Sequence, residues 1–154
     1  MPKITLTSAA YQEGQRIPVR FTGEGDDVSP AMDWGEPPAG TKEWALLMDD
    51  PDAPTSEPWV HWVMYKIPLA ARGLPEGASK SAAAGVQGTS SFDAIGYNGP
   101  MPPKGHGTHH YHLRLYALDQ PVTLPPGATK EALLAAMTGH ILAMGELVGV
   151  YDRK

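Results

Sequence analysis

The histidines of this chain are concentrated in one segment. Four of the six lie in His106–His112, which reads HGTHHYH. Imidazole changes its charge near neutral pH and binds metals, so such a cluster indicates proton transfer, ligand binding or a metal site. If the segment is extended, His110 and His112 share a face and could chelate zinc or copper. A third ligand would be needed, no motif such as H-E-x-x-H supplies one, and the same pair also fits an exposed face.

The other face of this segment begins with two polar aromatic residues and continues with apolar ones. With Thr108–Leu118 extended, that face carries His109, Tyr111, Leu113, Leu115 and Ala117. A buried His or Tyr needs a hydrogen-bond partner. His109 and Tyr111 therefore either meet a ligand or are satisfied residues at the edge of the core. The preceding Gly96–Gly107 is rich in glycine and proline, which predicts a shaped loop.

Three carboxylates follow a strongly apolar strand. Asp49, Asp50 and Asp52 lie in the sequence DDPDAP, directly after EWALLM. Asp–Pro sequences of this kind commonly form solvated turns. Carboxylates placed at the end of a buried strand can also hold a metal or orient a histidine. Both interpretations remain open from the residues alone.

His61 lies at the start of a second apolar strand, as His109 does. Alternation along Trp59–Ile67 places it on one face with Val63, Tyr65 and Ile67, opposite Val60, Trp62 and Met64. His61 too is either a ligand-binding residue or a structural residue at the edge of the core.

Several function classes are disfavoured by composition. The chain has no cysteine, which excludes disulfides and thiolate chemistry. Its net charge of −5, without a basic stripe, argues against nucleic acid as a partner. No apolar run approaches the ~20 residues of a membrane span, and the N-terminus lacks the apolar core of a signal peptide, so we expect a cytoplasmic protein. Serine-hydrolase, P-loop and dinucleotide motifs are missing, and we expect no cofactor.

The elements that must position these residues are mainly strands. We predict one domain, 1–154, with a late helix over Thr129–His140 ended before Gly145, and a long surface connection over Pro68–Ser91. Pro18 assigns the second strand to a sheet edge, and the apolar run Glu43–Asp49 predicts a strand buried on both faces. The predicted strands are Ile4–Leu6, Ile17–Phe21, Met32–Trp34, Glu43–Asp49, Trp59–Ile67, Thr108–Leu118 and Glu146–Tyr151.

Taken together, these motifs resemble one known family. The segments are DDPDAP, the later VHW and GPMPPKGHGTHHYHLRLYALD, with IPVRFTGEGDDVSPAMDW before them and GHILAMGELVGVYDR after them. They resemble the phosphatidylethanolamine-binding-protein family, most closely its compact bacterial branch, often called Raf-kinase-inhibitor-like. The resemblance implies a mainly β fold, a Greek-key β-sandwich with a large central sheet, a smaller sheet and one or two short C-terminal helices.

The resemblance also implies a small anion pocket. The residues that match it are Asp50, Asp52, Pro54, His61, His109 and Tyr111, with a backbone N–H from Met101 or Gly99. Met101 stands where the eukaryotic branch often has glycine, and His110 where that branch often has arginine. The first departure leaves the backbone donor and the shape of the loop open, and the second weakens any transfer of the eukaryotic partner specificity.

The implied function is non-enzymatic binding of small anions or phosphoryl head groups, with a kinase or another protein as a regulated partner. The alternative is a hydrolase or phosphotransfer enzyme that uses His61, His109 and Asp50. An aspartate beside an anion is explained if Asp50 holds His61 or His109 in one tautomer and raises its pKa. The imidazolium would then meet the anion.

Two further expectations concern the backbone and association. Ala53–Pro54 and Glu57–Pro58 are candidates for cis peptide bonds, because a tight turn beside the pocket favours them, and the resemblance favours the first one further. The four tryptophans suggest aromatic surface at a subunit interface. Bacterial members of the resembled family commonly form homodimers, so we expect a homodimer.

Overall fold

The strands form two antiparallel sheets. The computed structural model describes residues 2–81 and 84–154. The strands are β1 Leu6–Thr7, β2 Met32–Trp34, β3 Glu43–Asp50, β4 Trp59–Pro68, β5 Gly73–Leu74, β6 Val86–Gln87, β7 His109–Leu118 and β8 Ile141–Tyr151; the α-helix, α1, is Lys130–Met137. In the larger sheet the order is β6-β4-β3-β7-β8, and in the smaller sheet it is β1-β2-β5.

β3 is the central strand of the larger sheet. It pairs with β4 on one side and with β7 on the other. All of its residues are buried, which confirms the prediction of a strand covered on both faces. Because β3 ends where both antiparallel neighbours begin, Asp50, His61 and His109 meet at the same edge of the sheet.

Each face of the larger sheet covers a separate core. One core joins it to the smaller sheet through residues such as Trp34, Trp44 and Trp62. The other packs α1 against the opposite face through Val63, Tyr65, Leu133 and Met137. The Thr129 side chain caps α1 by accepting from the Ala132 N–H at 3.2 Å, and the helix is shorter than predicted, since its C-cap is Thr138.

Two predicted elements, one near each end of the chain, differ from the structure. Ile17–Phe21 is not an edge strand: Pro18 leads into a 3₁₀ turn over Val19–Phe21. The last strand starts at Ile141 and runs through Gly145, which was expected to end the preceding helix. A Cβ on Gly145 would lie 2.5 Å from the carbonyl oxygen of Ile4, so glycine permits close strand packing here.

The sequence predicted the short elements only in part. β1 begins at Leu6 rather than Ile4. The connection Pro68–Ser91 contains β5, β6 and a 3₁₀ turn over Ala78–Lys80. Elements of two or three residues carry too little periodicity to be seen in the sequence.

The prediction of cis bonds before Pro54 and Pro58 is wrong, since both bonds are trans. The turn closes by hydrogen bonds instead. The Thr55 N–H donates to the Ala53 carbonyl at 2.7 Å, and the Thr55 hydroxyl donates to the Glu57 carbonyl at 2.5 Å.

The tryptophans are mostly core residues. Trp34, Trp44 and Trp62 are buried, and the rings of Trp34 and Trp44 pack with centroids 5.6 Å apart. The prediction that tryptophans lie in a subunit interface is therefore wrong for these three, and the homodimer remains a prediction from the resemblance.

No helix in the described part of the chain has the length and apolarity to cross a membrane.

Candidate functional site

A cleft of about 250 Å³ opens at the edge of the sheet where β3 ends and β4 and β7 begin. Its lining comes from the end of β3 and the loop after it, from both neighbouring strands, from the loop that carries Phe92 and from the Gly–Pro loop before β7. Of the residues predicted for the pocket, those that line it are Asp50, Pro54, His61, Met101, His109 and Tyr111. Asp52 and Gly99 are not part of the lining.

Asp50 and His109 form a buried pair at the bottom of the cleft. Asp50 Oδ2 lies 2.6 Å from His109 Nδ1, and both side chains are almost fully buried. The other carboxylate oxygen, Oδ1, accepts the backbone N–H of Asp52 at 2.8 Å. Because an ionised carboxylate only accepts hydrogen bonds, the His109 proton is held on Nδ1. Nε2 is then the atom that can contact another group.

His106 is the hydrogen-bond partner of His109 Nε2. Its Nδ1 lies 2.6 Å from His109 Nε2, and its side chain is exposed. A chain of hydrogen bonds thus runs from the buried Asp50 through His109 to the solvent. His106 belongs to the histidine cluster of the sequence, but no role was predicted for it. Its position between two glycines, three residues before His109, was the available signal.

His61 is oriented by the backbone rather than by a carboxylate. Its Nδ1 lies 2.6 Å from the carbonyl oxygen of Asn98. Since a carbonyl can only accept, Nδ1 carries the hydrogen and Nε2 has a free lone pair. Among the described residues, the 2.6 Å hydrogen bond of the ring uses Nδ1, and the Gly99 backbone is a second, lesser polar neighbour of the ring.

Burial lowers the pKa of His61 below its usual value, although the Asn98 carbonyl and the charge of Asp50 oppose the shift. The expectation of a raised pKa is therefore wrong for His61. The carboxylate of Asp50 contacts His109 instead, and at His61 the loss of hydration outweighs its attraction.

A β-bulge turns His61 toward the cleft. Asp49 pairs with Val60 and Met48 with Trp62, so His61 is an additional residue in β4. Its ring packs against that of Tyr111 with centroids 5.1 Å apart. The prediction that His61 shares a face with Val63 and Tyr65 is wrong, because a bulge interrupts the alternation on which it depended.

Tyr111 supplies a hydroxyl that stays protonated. Burial, followed by the charges of Asp50 and Asp52, raises its pKa. Within the described ranges, this hydroxyl has no hydrogen-bond partner in the chain, and Tyr111 lines the cleft. It can therefore donate to a ligand across the whole physiological pH range.

The two backbone donors implied by the resemblance differ in availability. The Gly99 N–H donates to Asp27 Oδ1 at 2.7 Å and is already used. The Met101 N–H forms no hydrogen bond with the residues described, and Met101 lines the cleft.

The remaining polar candidates have partners outside the cleft. Asp52 Oδ2 accepts from the His110 N–H at 2.7 Å and lies 2.8 Å from its Nδ1. His112 Nδ1 lies 3.2 Å from Glu146 Oε2. His110 and His112 thus face different carboxylates. Across residues 2–81 and 84–154, no group of three or more His, Cys, Asp or Glu side chains is arranged to hold a metal ion.

The mouth of the cleft is apolar. Phe92 packs edge-on against Trp59 and His61, with centroid distances of 5.6 and 5.3 Å. Phe92 is 39% exposed and Met101 42%. Phe92, in a loop, and Trp59, at the start of β4, were not predicted as site residues, because an aromatic residue carries no signal of a pocket until the fold brings it there.

Comparisons with known proteins show the family of this chain. The sequence model of the phosphatidylethanolamine-binding protein family matches residues 7–152. The chain belongs to this family. A UPF0098 protein of Pyrococcus abyssi is 43% identical over 157 residues, covering 99% of this chain and 87% of that protein.

Two solved structures of the family are close to this one. A Chlamydia trachomatis protein, described as a phosphatidylethanolamine-binding protein homologue, has a TM-score of 0.90 at 36% identity, covering 100% of both chains. Escherichia coli YbcL, described as a member of the mammalian PEBP family, has a TM-score of 0.92 at 29% identity, covering 99% of both chains. The mainly β sandwich expected from the resemblance is therefore confirmed.

Proposed function

We propose that this member of the phosphatidylethanolamine-binding protein family binds a small oxyanion, foremost a phosphoryl group, in the cleft without altering it chemically. The observation that carries the proposal is the set of buried polar groups beneath an apolar mouth. Asp50, His61, His109 and Tyr111 all line this cleft, and burying such groups costs free energy unless they are satisfied or used.

Free donors and acceptors converge on the same space. The Tyr111 hydroxyl and the Met101 N–H can donate to oxygen atoms of a ligand. No lysine or arginine belongs to the lining formed by the described residues. Without such a charge, we expect weak binding, with a Kd of about 1 mM, equivalent to about 4 kcal/mol.

The test is a titration of inorganic phosphate followed by NMR of the histidine rings. We expect saturable shifts of the His61 and His109 resonances, and a loss of about tenfold in affinity in Tyr111→Phe, because one hydrogen bond to a charged ligand is removed. Tyr116→Phe is the matched control, since Tyr116 lies in the other core. Absence of saturable shifts in the wild-type protein would refute oxyanion binding.

A hydrolase or phosphotransfer enzyme is the second candidate, favoured by one observation. The chain Asp50–His109–His106 resembles the arrangement of a general base held by a carboxylate. A nucleophile is less evident, since the Thr55 hydroxyl in the lining donates to the Glu57 carbonyl. Turnover of p-nitrophenyl phosphate that is lost in His109→Gln would support the enzyme over the binding protein.

A protein partner such as a kinase, and a cytoplasmic location, are finer parts of the proposal. The family resemblance supports the partner, as do the exposed Phe92 and Met101 at the mouth of the cleft, because apolar residues around a polar pocket are typical of interaction surfaces. Competition between phosphate and a captured partner would test whether the two share the cleft.

A further inference from the structure

We infer that the cleft takes its phosphoryl ligand in the singly protonated form, as a phosphomonoester or free phosphate monoanion, and disfavours phosphodiesters. The inference rests on the proposed oxyanion binding and narrows it to one class of ligand. It follows from the hydrogen that the ligand must supply to His61.

The tautomer of His61 is fixed by the chain itself. Nδ1 donates to the Asn98 carbonyl at 2.6 Å, and the residue is 3% exposed. In the neutral ring Nε2 is then an acceptor. A fully deprotonated oxyanion brings only lone pairs to this atom, so the two would repel each other.

The surroundings of His61 favour its neutral state. The charged or titratable groups near its ring are Asp50 from the end of β3, Asp27 from an earlier loop, and His109 and Tyr111 from β7. Asp50 is hydrogen-bonded to His109 and to the Asp52 N–H, while Asp27 accepts from the Gly99 N–H. Neither carboxylate forms a hydrogen bond with His61, whereas burial disfavours its charge.

A neutral His109 ring would also present Nε2 as a hydrogen-bond acceptor. Asp50 holds the hydrogen on Nδ1, which leaves Nε2 as an acceptor, met in this structure by His106. A ligand that replaces His106 at this nitrogen must also bring a proton. Free phosphate monoanion, with two O–H groups, can meet both imidazoles, whereas a phosphomonoester monoanion meets His61 and leaves His109 Nε2 to His106.

A phosphomonoester monoanion fits this combination of groups. Its P–O–H donates to His61 Nε2, and its remaining oxygens accept from the Tyr111 hydroxyl and the Met101 N–H. A phosphodiester, including that of a phospholipid head group, carries the same charge but has no proton to donate. Binding it would leave a buried acceptor unsatisfied, which is more costly than losing one hydrogen bond.

Methyl phosphate and dimethyl phosphate test this difference directly. At about pH 5.5, methyl phosphate is mostly a monoanion with one O–H, because phosphomonoesters lose their second proton near pH 6. Dimethyl phosphate is also a monoanion but lacks the O–H. We expect calorimetric titration to show methyl phosphate binding at least about tenfold tighter at this pH.

The pH dependence separates this inference from binding by imidazolium. At about pH 8, methyl phosphate should bind more than tenfold more weakly than at about pH 5.5, because little of it retains the proton. Dimethyl phosphate, whose charge is constant, should bind weakly at both values. An imidazolium site would instead bind dimethyl phosphate well at the lower pH and lose it as the ring deprotonates.

Two variants assign the effect to the ring nitrogen. In His61→Asn the side-chain amide can still donate to the Asn98 carbonyl, but no atom replaces Nε2. The preference for methyl phosphate should then fall to within about twofold. In Tyr111→Phe both ligands should weaken about equally, so that the preference is retained.

The outcomes distinguish the two proposals. Equal affinity of the wild-type protein for both esters at about pH 5.5 overturns this inference and leaves oxyanion binding intact. Failure of methyl phosphate, dimethyl phosphate and inorganic phosphate to bind overturns both. The comparison of esters uses wild-type protein, so the test stands even where a variant fails to fold.

Discussion

Asp50 satisfies two donors with its two carboxylate oxygens. Oδ2 accepts from His109 and Oδ1 from the Asp52 backbone N–H. In Asp50→Asn, the amide group faces one of these donors with another donor. We therefore expect unfolding in urea to show a loss of about 1.5–3 kcal/mol, the range for a buried hydrogen bond to a charged group.

The exposed Asp33→Asn on β2 is the control for this substitution. It should change stability by less than about 0.5 kcal/mol. A loss in Asp50→Asn that is no larger than in the control would contradict the pairing with His109.

The lowered pKa of His61 makes stability depend on pH. Because burial depresses the folded-state pKa, the unfolded chain, with a histidine pKa of about 6.5, binds more protons just below that value. Stability is therefore fully present above about pH 6.5 and is lost as the pH falls toward the folded-state value.

His61→Asn should remove this contribution. Compared at about pH 5 and pH 7.5 by urea unfolding, the variant should lose less stability on acidification than the wild-type protein does. An identical loss in both proteins would show that His61 does not bind the additional proton on unfolding.

At the scale of residues, the sequence predicted which groups reach the cleft better than it predicted their chemical state. His61, His109, Tyr111 and Asp50 lie at strand ends beside proline- or glycine-rich loops, which is visible in the sequence. The partner of each ring is a tertiary contact. Only the folded chain places the Asn98 carbonyl, rather than a carboxylate, on His61 Nδ1.

Among the elements, the loop before β7 depends on close backbone packing at Gly99. A Cβ at this position would lie 2.2 Å from the carbonyl oxygen of Phe21 and 2.9 Å from the Cα of Thr22. We expect Gly99→Ala to destabilise the protein by roughly 1–3 kcal/mol. It should also weaken phosphate binding, because the same loop carries Met101.

Gly35→Ala provides the matched control, since its added Cβ would have no atom within 4 Å. Urea unfolding and the phosphate titration should both resemble those of the wild-type protein. If Gly99→Ala behaves in the same way, the loop is not held by this contact.

Long elements were predictable and short ones were not. β3, β4 and β7 have strong apolar patterns that fix their positions within one or two residues. Ile17–Phe21 has an alternating pattern as well, but Pro18 removes a backbone donor and the segment forms a 3₁₀ turn. The bulge at His61 also has no sequence signal, because it adds a residue without changing composition.

For the whole molecule, the resemblance predicted the two-sheet architecture, but the order of the strands is seen only in the structure. Strand order in the larger sheet places β3 between β4 and β7, and β7 beside β8. Single-strand patterns contain no information on such pairings. The meeting of the DDPDAP turn with the Gly–Pro loop is a consequence of this order and not of either segment alone.

The charge of the whole molecule predicts an unusual salt dependence for phosphate binding. The chain carries a net charge of −5 at pH 7, and no lysine or arginine lies in the described lining of the cleft. Raising the ionic strength screens the repulsion between this charge and an approaching anion. Chloride has no proton for His61 Nε2 and should compete poorly.

Between about 20 and 200 mM NaCl, the calorimetric affinity for phosphate at about pH 7 should therefore rise or stay within about twofold. A fall of severalfold would indicate that a lysine or arginine binds the ligand, contrary to the hydrogen-bonded site formed by Tyr111, Met101 and His61.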